Sequence, residues 1–286
     1  MSKVTPILVR LIHGRCGSTL LMQLLSSNRN VISERLYPYE HRYLTYLHSL
    51  TKAISAEHDK EWNDESLLRG KRNLVGPLPY NNVSIFDKNN LSMKSFSALT
   101  RVFLSSIHDT NSSELMVDQP VYYPEKISGP AADSCNASLD CKSVFLIRDP
   151  RDIFLSIRNF NSKRNYKSFN WKEGQTDLEY ATWLCNSFLP FLKHYNNIDD
   201  TANRVKVRYE DMIVNPMVVT SKLSDWLGLE LDYGYVENNM KQMSHHMTSK
   251  NPQDSLYRWK TEMSQELQLI FSNTLGEELA KAGYEI

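Results

Sequence analysis

Blocks of apolar residues alternate with polar, turn-forming stretches along the chain, and their periods predict its elements. Ile7-Leu8-Val9-Arg10-Leu11-Ile12 is a nearly continuous apolar run, the pattern of a strand buried on both faces. A turn with two glycines, Gly14 and Gly17, follows, and then Leu20, Leu21, Leu24 and Leu25 fall on one face of a helix. Residues 26–30 read as a turn and Val31-Ile32-Ser33-Glu34 as a short second strand or its edge. Tyr43, Leu47, Leu50 and Ile54 recur at helical spacing, as do Phe96, Leu99, Phe103 and Ile107. Between them, residues 57–90 are polar and irregular, with Gly70, Gly76, Pro77 and Pro79, and are expected to form an insertion or lid.

The second half of the chain is more regular. Leu115-Met116-Val117 reads as a short buried strand, and Val144-Phe145-Leu146-Ile147 as another. A helix is expected from about Arg151 to Phe160, with Pro150 in its first turn. Residues 161–175 interleave Lys163, Arg164, Lys167 and Lys172 with Tyr166, Phe169 and Trp171, and are read as a gating loop. Thr176-Asp177-Leu178-Glu179 is a capping-box signature for the next helix, which Pro190 is expected to kink. Val205 to Tyr209 is a further strand, and Pro216 opens a helix that Gly228 closes. The last helix starts near Ser264 and runs to about Leu275, with a final turn over 276–282. Strands alternating with helices predict an α/β fold: a three-layer parallel β-sheet flanked by helices, in a single domain over residues 1–286.

Composition narrows the function. With 41% hydrophobic and 23% charged residues the chain is an ordinary globular protein, and a formal net charge of zero argues against a general nucleic-acid binder. No apolar run approaches the roughly 20 residues of a membrane span. Met1-Ser2-Lys3 leads directly into the first strand, without the three regions of a signal peptide, so a cytoplasmic enzyme is expected. Four cysteines in a chain of this length do not form a disulfide framework, and Cys135 and Cys141 are read as two surface thiols. Asn136-Ala137-Ser138, a glycosylation acceptor pattern, is then coincidental.

The candidate chemistry is anion binding at two strand ends. At the first, a glycine turn leads into a helix headed by Ser18 and Thr19; such a turn aims backbone N–H groups inward, and the helix N-terminus adds roughly half a positive charge. Only two residues separate the glycines, and Arg15 stands inside the turn, so this is not the Gly-Lys-Ser/Thr loop that binds ATP with magnesium. At the second, Arg148-Asp149-Pro150-Arg151-Asp152 ends a strand and opens a helix, with Ser156 two turns along it. An arginine there holds a phosphate bidentately. Two such sites at carboxyl strand ends suit a nucleotide phosphorylated at both ends of its ribose.

These segments resemble the 3′-phosphoadenosine-5′-phosphosulfate (PAPS)-dependent sulfotransferases. His13-Gly14-Arg15-Cys16-Gly17-Ser18-Thr19-Leu20 is similar to that family's 5′-phosphosulfate loop, and Phe145 to Ser156 to its 3′-phosphate motif. Val207 to Met212 with Asn215-Pro216 resembles the family's Tyr-Glu-Asp strand end, and Ser255-Leu256-Tyr257-Arg258-Trp259 the segment that closes over the nucleotide. The tyrosylprotein, carbohydrate and bacterial branches are the nearest in flavour. The resemblance implies a P-loop-like sulfotransferase fold and in-line transfer of sulfonate from PAPS to an acceptor hydroxyl of a sugar, tyrosine or small metabolite. The product would be adenosine 3′,5′-bisphosphate, with no metal, no nucleic acid and no membrane span involved.

It also implies roles. Arg15 would meet the charge growing on the leaving phosphate, with Cys16, Gly17, Ser18, Thr19 and Leu20 around the 5′-phosphate. Arg148 and Ser156 would hold the 3′-phosphate, and Tyr209, Ser249 and Arg258 would complete the pocket. Relatives carry a glutamate base just after the second strand, where Glu34 stands two or three residues early; Glu40 and His41 are next in line. Gln119 stands where many relatives carry a lysine. Cys16 fills a small-residue slot rather than acting as a nucleophile, and the adjacent His245 and His246 do not share a helical face as metal ligands would.

Overall fold

The computed structural model describes residues 4–55, 87–239 and 251–286. In chain order these form β1 (Val4–Leu11), α1 (Ser18–Leu25), α2 (Tyr43–Lys52), α3 (Lys88–Asn111), β2 (Val121–Lys126), α4 (Gly129–Ser138), β3 (Lys142–Ile147) and α5 (Pro150–Arg164). They continue with α6 (Asp177–Asn197), β4 (Arg204–Arg208), α7 (Tyr209–Val214), α8 (Pro216–Leu227), α9 (Tyr233–Asn239), α10 (Trp259–Glu262) and α11 (Gln265–Lys281). The strands make a four-stranded parallel sheet flanked by helices, in the order β2-β1-β3-β4. Leaving β1, the chain builds β2 on one side and β3 on the other, so strand order reverses between β1 and β3. In open α/β sheets ligands gather at the carboxyl strand ends beside such a reversal.

Two compact units divide the chain. The first comprises residues 1–8, 29–34 and 40–142. Its core gathers Val4, Leu8, Leu44, Phe96, Leu104, Tyr123, Ala132 and Cys135. Within it the Glu125 carboxylate, fully buried, accepts from the N–H groups of Leu44 and Thr45 at 2.8 and 3.0 Å, so a side chain of β2 satisfies the first turn of α2. The second comprises residues 9–28, 35–39 and 143–286. There Phe154 of α5 meets Trp171, Tyr180 and Phe271, and Trp171 stacks on Tyr180 with ring centroids 4.1 Å apart.

Several expectations stand, and several need correction. The Thr176 capping box forms, Gly228 closes α8 in the left-handed conformation, and Ser264 caps α11. Pro190 lies inside α6. Leu115-Met116-Val117 is not a strand: Val117 is 84% exposed, Asp118 turns the chain at positive φ, and the strand begins at Val121. Its Pro124, Glu125 and Lys126 masked it in the sequence, yet proline is compatible with this strand because β2 is the sheet's edge. The buried stripe of α2 is Leu44 and Thr51, one position on from the expected Tyr43 face. Cys135 and Cys141 are free but buried, not surface thiols. Tyr209 opens α7 rather than ending β4, and the terminal helix runs unbroken through 276–281. Of the expected 57–90 insertion, residues 57–86 lie outside the described residues, and Asp87 already caps α3.

Candidate active site

The sequence-predicted anion residues of the second unit converge at the carboxyl ends of β1 and β3. After β1 the turn carries Arg15 at φ 69° and Gly17 at φ 90°, both left-handed, which curls backbone N–H groups toward one side. Gly17 is the N-cap of α1 and supplies no side chain to the helix's first N–H groups. It must also be glycine for packing, since a methyl group there would overlap the Tyr209 ring. A methyl at Gly14 would run into Phe169 in the same way, so the stretch 161–175 packs directly on this turn. Cys16 is fully buried, as a small-residue slot requires, while Ser18 and Thr19 are half-buried at the mouth of α1.

Arg148, at the end of β3, locks onto this turn. Its Nη1 donates to the Arg15 carbonyl at 2.9 Å and its Nη2 to the Ser255 carbonyl at 2.7 Å, and its guanidinium lies 4.5 Å from the Tyr209 ring centre. The third donor, Nε, is buried with no hydrogen-bond partner among the described residues. From α5, Ser156 accepts from Arg15 Nε at 3.2 Å. The Arg15 guanidinium also lies over Phe160 at 4.7 Å, and Arg164 covers the same ring at 4.2 Å. Burial, then the Arg148 charge, and further on that of Arg164, push Arg15 down to about 10. Among the neighbouring carboxylates, Asp149 pairs with Arg151 at 2.7 Å, Asp152 accepts backbone N–H groups, and Asp152 and the buried Glu210 both feel the Arg148 charge. A site that brings the Arg15 and Arg148 guanidinium groups together and leaves one buried donor nitrogen without a partner among the described residues fits an anionic ligand.

Tyr209 and Arg258 reach the same unit by different routes. The Tyr209 hydroxyl meets Ser255 Oγ at 2.9 Å; since Ser255 Oγ donates to the Pro252 carbonyl, Tyr209 is the donor. Arg258 is held by Glu262, with Nε and Nη2 at 2.8 and 2.7 Å from its carboxylate, leaving Nη1 buried without a partner among the described residues. Ser249, with His245 and His246, lies outside the described residues. Sequence reasoning gave no site role to Ser255, Phe160 or Asp152, and placed Phe169 only in a gating loop. Ser255 stood in a quoted segment, but only its carbonyl and its bond to Tyr209 give it a place in the site. The start of 161–175 also walls an open cleft of about 650 Å³, lined by Arg158, Asn161, Tyr166, Lys167, Trp171 and Asp177.

The base candidates belong to the first unit. Glu34 is exposed, and its backbone N–H donates to His41 Nε2 at 3.0 Å, which fixes the His41 proton on Nδ1. Glu40 is shared between Arg42 at 3.2 Å and Lys126 at 3.3 Å. The Gln119 carbonyl is 3.5 Å from the Asn30 side-chain amide. Among the described residues no helix is long and apolar enough to cross a membrane, and no cluster of three metal-ligating side chains forms.

Comparison with known proteins agrees with this picture. The family profile described as a sulfotransferase domain matches residues 13–279. Human carbohydrate sulfotransferase 1 is 27% identical over 172 residues, which is 52% of this chain and 40% of that protein. The zebrafish (Danio rerio) protein of the same name is 25% identical over 169 residues, 51% of this chain and 39% of its own length. The chain therefore spans about two fifths of the curated relatives it matches. Among solved structures, the sulfotransferase domain from the Synechococcus PCC 7002 olefin synthase superposes with a TM-score of 0.52 at 15% identity. It covers 100% of this chain and 97% of that one, a likeness of fold.

Proposed function

Because this chain belongs to the sulfotransferase domain family, we propose that it transfers the sulfonate group of PAPS to an acceptor hydroxyl. The convergence of Arg15, Arg148 and Ser156 at the ends of β1 and β3 carries this reading. The 5′-phosphate would lie against the N–H groups of Cys16 to Leu20 and the hydroxyls of Ser18 and Thr19, and the 3′-phosphate against Arg148 and Ser156. Tyr209, Arg258 and Ser249 would complete the nucleotide pocket.

In the transfer, an acceptor oxygen forms a bond to sulfur as the bond from sulfur to the phosphate oxygen breaks. Arg15 would stabilise the charge left on that oxygen, a cation already in place and screened little by water. Glu34 would take the acceptor's proton, with Glu40 and His41 as the other candidates. The curated relatives are named for carbohydrates, so a sugar hydroxyl is the acceptor class we favour, with tyrosine and small metabolites as the other classes.

Calorimetry tests the donor site. Adenosine 3′,5′-bisphosphate should bind at least about tenfold more tightly than ATP, with or without magnesium, because only it places phosphates at both clefts. Equal affinities would reject the reading. Turnover of labelled donor across sugars, tyrosyl peptides and phenols would then identify the acceptor.

A further inference from the structure

Asp152 sits in the first turn of α5 and is 1% exposed, and none of the roles assigned above uses it. Its carboxylate reaches out of its own helix. Oδ2 accepts from the Tyr257 N–H at 2.7 Å and Oδ1 from the Trp259 N–H at 3.1 Å. Between those two amides stands Arg258, and just before them Ser255, whose carbonyl receives Arg148 and whose hydroxyl receives Tyr209. One carboxylate thus clamps both ends of the tripeptide that presents Arg258.

We propose that Asp152 is a positioning residue for donor binding: by gripping the Tyr257 and Trp259 amides it holds the 255–259 segment, and with it Arg258, closed on the nucleotide site. The proposal rests on the sulfotransferase reading for the ligand, but not for the clamp itself.

The surroundings make the clamp sensitive to protonation. Burial first, and then the neighbouring Asp149, push the Asp152 carboxyl up to about 7, against the opposing pull of Arg148 and the two amides. The other charged groups around it are Arg258, which Asp152 itself supports, and Arg151 and Lys260, whose cations lie over the Trp259 ring at 3.5 and 5.7 Å. A protonated carboxyl accepts more weakly than a carboxylate, and its O–H has no acceptor facing it from the two amides.

The test measures the affinity of adenosine 3′,5′-bisphosphate from pH 6 to pH 8.5 for the parent and for Asp152→Asn. The ligand's own phosphates titrate identically for both proteins, so the difference between the two curves isolates Asp152. At pH 8.5 the variant should bind about five- to tenfold more weakly, and the gap should close toward pH 6 as the parent loses its carboxylate. A constant ratio across that range, or equal affinities at pH 8.5, overturns the proposal. Hydrogen exchange on the unliganded parent gives a second readout that needs no variant. Protection of the Tyr257 and Trp259 amides, corrected for intrinsic rate, should fall from pH 8 to pH 6 while that of β3 holds. Uniform protection would refute the clamp even if the nucleotide binds. Conversely, a parent that ignores the bisphosphate at every pH, yet shows the amide effect, would refute the donor reading and leave the clamp standing.

Discussion

Arg148 Nη1 and the carbonyl oxygen of Arg15 are 2.9 Å apart, so a side chain from the end of β3 fixes the backbone of the turn that follows β1. The bond ties together the two strand ends flanking the reversal in strand order. It also sets two guanidinium groups close enough for each to feel the other's charge, which adds to burial in lowering the affinity of Arg15 for its proton. Such an arrangement costs free energy unless an anion occupies it. The protein therefore holds a turn in place with the same residue that makes it electropositive.

Arg148→Lys should weaken binding of adenosine 3′,5′-bisphosphate by about ten- to a hundredfold, because lysine keeps the charge and loses the fork that serves two carbonyls at once. Arg148→Ala should be at least as damaging. Titration calorimetry decides, and affinity equal to the parent's would remove Arg148 from the nucleotide site.

Gly17→Ala asks two things of the backbone that an alanine cannot supply: a φ of 90° and room beside the Tyr209 ring. The strain alone is on the order of 1–3 kcal/mol, and displacing Tyr209 also breaks its bond to Ser255. A lower melting temperature is expected, together with weaker nucleotide binding. A variant that melts and binds like the parent would show that the turn is not held as described.

How much of this was legible in the sequence depended on whether the signal was local. The strand read over 144–147 and the capping box at Thr176 each lie within a few turns of chain and appear in the fold, the strand starting two residues earlier at Lys142. The strand after Pro120 was not legible, because its buried positions include Pro124 and Glu125, so its apolar pattern is broken although both faces are covered. Glu125 caps a helix whose amides begin 81 residues earlier. Phe169 stood in the basic-aromatic stretch read as a gate, but nothing in that pattern paired it with Gly14, whose lack of a side chain makes room for it. Contacts made across such separations leave no period in the sequence.

Asp152 should leave a mark on stability as well as on binding. Its carboxyl has a higher proton affinity in the folded chain, about 7 against an ordinary 3.8, so the folded state holds the proton longer than the unfolded one. Its contribution to stability is therefore complete below about pH 4 and declines as pH rises to about 7. The melting temperature of the parent minus that of Asp152→Asn should fall over that window and level off above it, whatever the constant offset between the two. A difference that is flat from pH 4 to 8, or that rises, would contradict the shift.

The proton acceptor is open to the same kind of discrimination. His41 spends the lone pair of Nε2 on the Glu34 N–H, and its Nδ1 bears the proton, so it is not free to act as a base without releasing the 34–41 loop. Glu40 is held in ion pairs with Arg42 and Lys126, which it would have to leave to reach an acceptor. The Glu34 carboxylate has neither restraint, and it stands on a segment anchored by the backbone bonds of Asn30 and Ile32 to Tyr122. Glu34→Gln should therefore cut turnover by about a hundredfold or more while leaving nucleotide affinity within about twofold. His41→Asn should act mainly through loop order, with a loss of about tenfold or less that is independent of pH between 6 and 8, since no proton passes through it. If Glu34→Gln turned over at the parental rate while His41→Asn lost most activity in a pH-dependent manner, the roles would be reversed, and the bond from the Glu34 amide to His41 would have to open during each cycle.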